Sequence, residues 1–172
     1  MIELACAEDF EAIAALNVAA YEEFAPHLQA GAWEVMRRNL CNVAERAKTV
    51  EFLVVREAAE IIASVAYCPP GKSDPGIFES TMASVLLLAV HPRHRGRGLA
   101  RELTAACVAR AKRDNAGSIG LFTGEIMQPA QHVYRSLGFR LEAELPPRYG
   151  VRYYRYVLSL AGVASDADSG EP

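Results

Sequence analysis

The sequence predicts an α/β domain: a mixed central sheet of about six to seven strands flanked by about four helices. Three observations carry this. Short β-rich runs, VEFLVV (50–55) and EIIASVAY (60–67), alternate with amphipathic helical patterns. The wholly apolar run SVLLLAV (84–90) leads through a glycine-bearing loop into a helical pattern, LARELTAACVARAK (99–112). SIGLFT (118–123) then follows at the spacing of a crossover connection, which predicts a parallel partner for the 84–90 strand.

Taken in order, residues 2–6 (IELAC) read as a short strand, and Asp9 is placed to cap a helix. That helix carries Phe10, Ile13, Leu16, Ala20 and Phe24 at helical intervals until Pro26 and Gly31 break it. A second helix is predicted with Trp33, Met36, Leu40 and Ala44 on its inner side. The runs at 50–55 and 60–67 suit an antiparallel hairpin. CPPGKSDPGIFES (68–80) is a loop by its prolines and glycines. The 84–90 run is too apolar for a wet face and is expected to be a fully buried strand. Leu99, Leu103, Ala106 and Cys107 form the inward stripe of the next helix. The run at 127–139 is helical and stopped by Gly138. RLEAEL (140–145) and VRYYRYVLSL (151–160) supply two closing strands. The domain is expected to span 1–160, with a flexible acidic tail, AGVASDADSGEP, at 161–172.

Composition narrows the function. The 172 residues are 51% hydrophobic and 23% charged, enough apolar material for one core without staples. A net charge of -3 argues against a general nucleic-acid binder. Cys6, Cys41, Cys68 and Cys107 are far apart, so buried apolar thiols in a reducing compartment are expected, not a disulfide framework or zinc site. The N-terminus lacks a signal-peptide pattern and no run is long enough to span a bilayer, which predicts a cytoplasmic protein with no membrane association.

The chemistry concentrates in HPRHRGRGLARE (91–102), with four arginines, two histidines and two glycines. A strand, a glycine loop and a helix start make an anion seat. The first helical N–H groups are unpaired and carry partial positive charge, and Gly96 and Gly98 let a ligand approach the backbone. Arg95, Arg97 and Arg101 add charge, and the whole suits a pyrophosphate. A dinucleotide fingerprint fits less well, because its third small position is Arg101 and no ribose-binding acid follows. A Walker A loop is absent. A nucleic-acid patch lacks interleaved aromatics, and a merely solvated arginine-rich turn is the plain alternative.

With those residues in view, Val90-His-Pro-x-x-Arg95-Gly-x-Gly98-Leu-Ala100 resembles the acetyl-CoA loop of the GNAT superfamily of N-acetyltransferases, pattern [QR]-x-x-G-x-[GA]. The block Ala130-x-x-x-Tyr134-x-x-x-Gly138-Phe139 is similar to that superfamily's later helix. The resemblance implies a GNAT-like sheet splayed beside the 84–90 strand, with the pantetheine arm of acetyl-CoA in the gap. Backbone groups of Leu88, Ala89 and Val90 would pair with the arm. The loop from Arg95 through Gly96, Arg97, Gly98, Leu99 and Ala100 to Arg101 would hold the pyrophosphate. Tyr134 is implied as the general acid that protonates the leaving thiolate. The implied activity is direct acetyl transfer from acetyl-CoA, as cosubstrate, to an amine on a small molecule, peptide or protein, with no metal.

The sequence departs from the pattern twice. Met127 stands where many relatives have Asn, and SIGLFT offers no carboxylate, which leaves Glu79 and Glu125 as candidate bases acting through water. Glu22, Glu23 and Glu79 would favour a cationic amine. Tyr149, Tyr153, Tyr154 and Tyr156 either line an acceptor pocket or simply alternate in a closing strand. A non-catalytic CoA-responsive module and a nucleic-acid-binding domain are the competing readings. Homodimer formation through the last strand is left open.

Overall fold

A computed structural model describes residues 1–160. Seven strands form one sheet, β1 (Ile2–Leu4), β2 (Glu51–Glu57), β3 (Glu60–Cys68), β4 (Met82–Val90), β5 (Ser118–Gly124), β6 (Arg140–Arg148) and β7 (Val151–Ser159), in the order β1-β2-β3-β4-β5-β7-β6. All neighbours are antiparallel except β4 and β5. The helices are α1 (Phe10–Tyr21), α2 (Ala32–Cys41), the short α3 (Val43–Arg46), α4 (Leu99–Arg113) and α5 (Gln128–Ser136). The expected mixed α/β class is what the molecule adopts. The expected tail at 161–172 lies outside the described residues.

Side-chain alternation along the strands sorts the core into two faces. Leu53, Val65, Val85, Ile119 and Leu121 meet Leu99, Leu103 and Cys107 of α4 together with Tyr134 and Phe139. On the other face Phe52, Val54, Ala66 and Ala89 meet Ile13, Leu16 and Ala20 of α1 and Val43 of α3. A third cluster, Ile77, Phe78 and Met82, lies under the 69–81 loop. Arg155 holds that loop to β7 by donating to the Ile77 carbonyl at 2.6 Å.

Five sequence expectations are corrected in detail. The inner side of α2 and α3 is Ala32, Met36, Leu40 and Val43, while Ala44 is exposed, because Asn42 leaves helical geometry (ψ 49°) and resets the phase. Cys68 and Cys107 are buried, but Cys6 and Cys41 are exposed. The 84–90 run is not fully buried: Leu86, Leu87, Leu88 and Val90 are half-buried, for a reason that belongs to the site. The last strand, β7, is paired on both sides, to β5 and β6, so it offers no free edge to a second copy. The sheet edge on this side is β6, which carries register breaks between Leu141 and Ala143 and between Leu145 and Arg148, the second containing Pro146 and Pro147.

The fifth concerns Asp9. A 3₁₀ turn (Ala7–Asp9) precedes α1, and the Asp9 carboxylate reaches back to accept from the Cys6 N–H at 2.9 Å and from Arg56 at 2.7 Å. The Arg56 guanidinium, followed by the Cys6 amide, holds the Asp9 carboxyl down at about 2. Its folded value lies below its unfolded one, so its contribution to stability is complete above the ordinary aspartate range, near pH 4, and is lost as pH falls through about 2. Asp9→Asn is therefore expected to flatten the acid limb of a melting-temperature-against-pH curve. At neutral pH it should lower the melting temperature by roughly 3–6 °C. An unchanged acid limb would show that the Asp9–Arg56 contact does not form.

Candidate active site

The cleft originates in a pairing that stops early. Met82, Ala83 and Ser84 of β4 pair with Ser118, Ile119 and Gly120 of β5, and no ladder continues beyond them although both strands do. The register of β4 against β3 shifts in the same region, and Leu87 sits at φ 51°, a left-handed conformation that a branched apolar residue adopts only under constraint. The strands part, and a cavity of about 470 Å³ opens between them. Leu86, Leu87, Leu88 and Val90 line it, as do Phe122 and Thr123 of β5. This is why the apolar run is half-buried: an apolar cleft wall and a dry core have the same composition.

The open edge of β4 keeps backbone groups to offer. The His91 N–H donates to the Ile62 carbonyl of β3 at 2.9 Å, so by strand alternation the amide and carbonyl of Val90 face away from β3, toward the gap. Leu88 is partly engaged, because its carbonyl accepts from the Tyr21 hydroxyl at 3.1 Å. Ala89 is buried and pairs with Ser64 of β3.

Just beyond β4, the loop turns twice through glycine, at Gly96 (φ 76°) and at Gly98 (φ 81°), the residue that caps α4. The amides from Arg95 to Arg101 make no hydrogen bond among the described residues, and an added Cβ at Gly96 would meet nothing within 4 Å. Unpaired amides around open space, at the positive end of a 15-residue helix, form a concave anion seat. Gly96, Gly98, Leu99, Ala100, Arg95 and Arg101 all line the cavity. Their side-chain charges are partly committed elsewhere. Arg95 pairs with Glu23 at 2.7 Å, Arg97 with Glu57 at 2.8 Å, and Arg101 donates to the Ser136 hydroxyl at 2.7 Å. Arg97 does not line the cavity.

Tyr134 stands on the inner side of α5 and lines the same cavity, packed edge-tilted on Phe139 with ring centroids 6.0 Å apart. Burial, then the neighbouring Tyr21 oxygen, pushes the Tyr134 phenol well above its ordinary range. It stays protonated across the physiological range. The splay thus brings together three groups read from separate parts of the sequence: the β4 backbone, the α4 amides and the Tyr134 hydroxyl.

The proposed acids are not brought there. Glu79 is exposed on its loop. Glu125 lines a second, polar groove of about 760 Å³ between α5 and β7, where it pairs with Arg152 at 3.0 Å. Of Glu22, Glu23 and Glu79, Glu23 alone lines the 470 Å³ cavity, and it is tied to Arg95. Of the four tyrosines, Tyr149 and Tyr153 line that cavity and Tyr154 and Tyr156 the polar groove. Residues that the sequence reading passed over complete the far wall: Tyr21, Asn39, Arg46 and Arg148. They come from α1, the adjacent α2 and α3, and the end of β6, and no local pattern joins them. Among the described residues no group of His, Cys, Asp and Glu is placed to hold a metal ion, and no helix is long and apolar enough to cross a membrane.

The splayed β4–β5 pair, the unpaired amides at the start of α4 and Tyr134 share one cavity. Residues 10–139 match the model of the acetyltransferase (GNAT) family, and the chain belongs to that family. A curated relative, mouse N-acetyltransferase 8, is 29% identical over 93 residues, a match spanning 54% of this chain and 40% of the relative. Among solved structures, yncA from Salmonella typhimurium, determined with its cofactor acetyl-CoA, superposes with a TM-score of 0.70 at 22% identity, covering 97% of each chain. The paiA N-acetyltransferase from Thermoplasma acidophilum, in complex with coenzyme A, superposes with a TM-score of 0.68 at 14% identity, covering 90% of this chain and 98% of that one. At such identities these structures share the fold.

Proposed function

We propose that this chain transfers the acetyl group of acetyl-CoA to an amine by direct attack of the nitrogen on the thioester carbonyl. The observation that carries the reading is the placement of the Tyr134 hydroxyl in the same cavity as the α4 amides and the open edge of β4. Amides from Gly96 to Arg101 hold a diphosphate. The Val90 backbone pairs with the arm that follows it, as an added strand would. That fixes the reacting carbon between the strands, where positioning supplies much of the rate.

The nitrogen bonds to the acetyl carbon as the carbon–sulfur bond breaks, and the proton it then sheds passes to solvent, from which the Tyr134 oxygen regains the proton it gives up. Tyr134, held protonated by burial, donates its proton to the departing sulfur. Glu23, the one carboxylate lining the cavity among the described residues, is spent on Arg95. The amine accordingly attacks as its free base. The two competing readings draw less support. Three of the four arginines in this segment, Arg95, Arg97 and Arg101, are engaged by Glu23, Glu57 and Ser136, so the segment does not form a free cationic stripe. A non-catalytic CoA module leaves Tyr134, which lines the cavity, without a chemical role.

Saturating acetyl-CoA is expected to raise the melting temperature. A ligand at 100 times its Kd stabilises the native state by about 2.7 kcal/mol, or roughly 5–10 °C here. Thermal denaturation with and without acetyl-CoA checks this, with a sodium pyrophosphate control for the seat alone. An unmoved transition would remove the basis of the proposal.

A further inference from the structure

We infer that the acceptor is a small amine that also carries a carboxylate, an amino-acid-like molecule, and that Arg46 and Arg148 bind that carboxylate. The inference rests on the acetyl-transfer reading and extends it to the substrate class. The cavity has a lobe across the sheet from α4, walled by α2, α3 and the β6–β7 turn. Arg46 lines it from α3, and its Nε is buried with no hydrogen-bond partner. Arg148 lines it from the end of β6, its guanidinium lying 4.8 Å from the centre of the Phe122 ring. Neither arginine forms an ion pair among the described residues, whereas the other half-buried arginines, Arg56, Arg110 and Arg155, all do; the remaining unpaired arginines are exposed.

A guanidinium nitrogen taken from water and left unpaired is costly unless something else supplies the acceptor. A carboxylate fits its planar fork by two parallel hydrogen bonds. The remaining cationic and anionic side chains facing the cavity, Arg95 with Glu23, Arg101 and His94, belong to the α4 end. The far lobe is therefore net positive, which repels a purely cationic amine and suits a molecule whose ammonium is offset by an anion. This reverses the preference expected from Glu22, Glu23 and Glu79.

Size and closure point to a small molecule. About 470 Å³ must serve the acceptor and part of the thioester arm together. The roof is also tied across: Asn39 of α2 donates to the Tyr149 hydroxyl at 2.9 Å, and the Gln29 N–H donates to the Tyr149 carbonyl at 3.0 Å. A polypeptide acceptor needs those elements apart. Met36, Leu40 and Phe24 give the lobe an apolar side, so the fitting acceptors carry an apolar side chain.

The test measures thiol release from acetyl-CoA with L-leucine and L-phenylalanine against their carboxamides, and with spermidine as a cationic control. The acids are expected to show kcat/KM about 10-fold or more above the amides, with spermidine lowest. Arg46→Met should raise KM for the acids by about 10- to 100-fold while leaving kcat, the KM for acetyl-CoA and the rates with amides unchanged. Arg46→Lys should recover part of the loss, and circular dichroism checks that both variants fold. Equal or better use of amides or spermidine, no use of either acid, or an Arg46→Met loss common to acids and amides would overturn the inference. A melting temperature still raised by acetyl-CoA then leaves the acetyl-transfer reading standing; one not raised takes both down.

Discussion

Tyr134→Phe is expected to cut kcat by about 10²–10⁴-fold and to leave acetyl-CoA binding as it was. The change removes one oxygen from a ring that is otherwise held by packing on Phe139 and the α4 face, so the ring itself stays in place. No hydrogen bond within the protein shifts the Tyr134 phenol, so none is orphaned by the deletion. The variant should therefore melt within a degree or two of the parent, and acetyl-CoA should raise both transitions alike. The loss falls on the step in which sulfur leaves without a proton. Acceptors are compared by single-turnover thiol release, which isolates that step from product dissociation. Intact turnover in the phenylalanine variant would strip Tyr134 of the acid's role.

Gly98→Val is expected to weaken acetyl-CoA binding by about 10- to 100-fold. The residue caps α4 at φ 81°, a conformation that costs an L-residue about 1–2 kcal/mol, and more when the side chain is β-branched. The chain relieves that strain by rotating the cap, which turns the amides of Leu99, Ala100 and Arg101 away from their common focus. The side chain itself meets little, since the nearest atom to an added Cβ is Glu102 Oε1 at 4.0 Å. The damage is thus to backbone geometry, and Gly98→Ala should fall between parent and valine. Isothermal titration with acetyl-CoA reads the effect. Equal affinity for all three proteins would mean that the α4 amides do not carry the phosphate contact.

Much of this architecture could be read from local periodicity. The hairpin of β2 and β3, the crossover from β4 through α4 to β5, and the stop of α5 at Gly138 (φ 92°) each rest on neighbouring residues alone. So does the seat around Gly96 and Gly98, whose requirement for positive φ is written in the glycines themselves. What escaped depends on distance. Tyr21 and the Leu88 carbonyl it grips are 67 positions apart. Arg46 and Arg148 meet one cavity from opposite ends of the chain, and nothing in their flanking residues marks them. Asp9 shows a subtler loss: an acid before a helix reads as a cap, and an arginine on β2 recruited it to fold back instead. The half-burial of Leu86–Leu88 within the expected strand is not legible, because hydrophobicity measures distaste for water and does not distinguish a protein neighbour from a cavity.

The outer strand has a corollary for the behaviour of concentrated protein. Pro146 and Pro147 contribute no N–H; one register break contains them, and a second lies earlier in β6, between Leu141 and Ala143. A foreign strand docking there would find gaps where it needs a continuous row of donors, even though Leu141 is 55% exposed nearby. Crowded or newly made chains therefore meet along a border that is a poor seed for cross-β stacking.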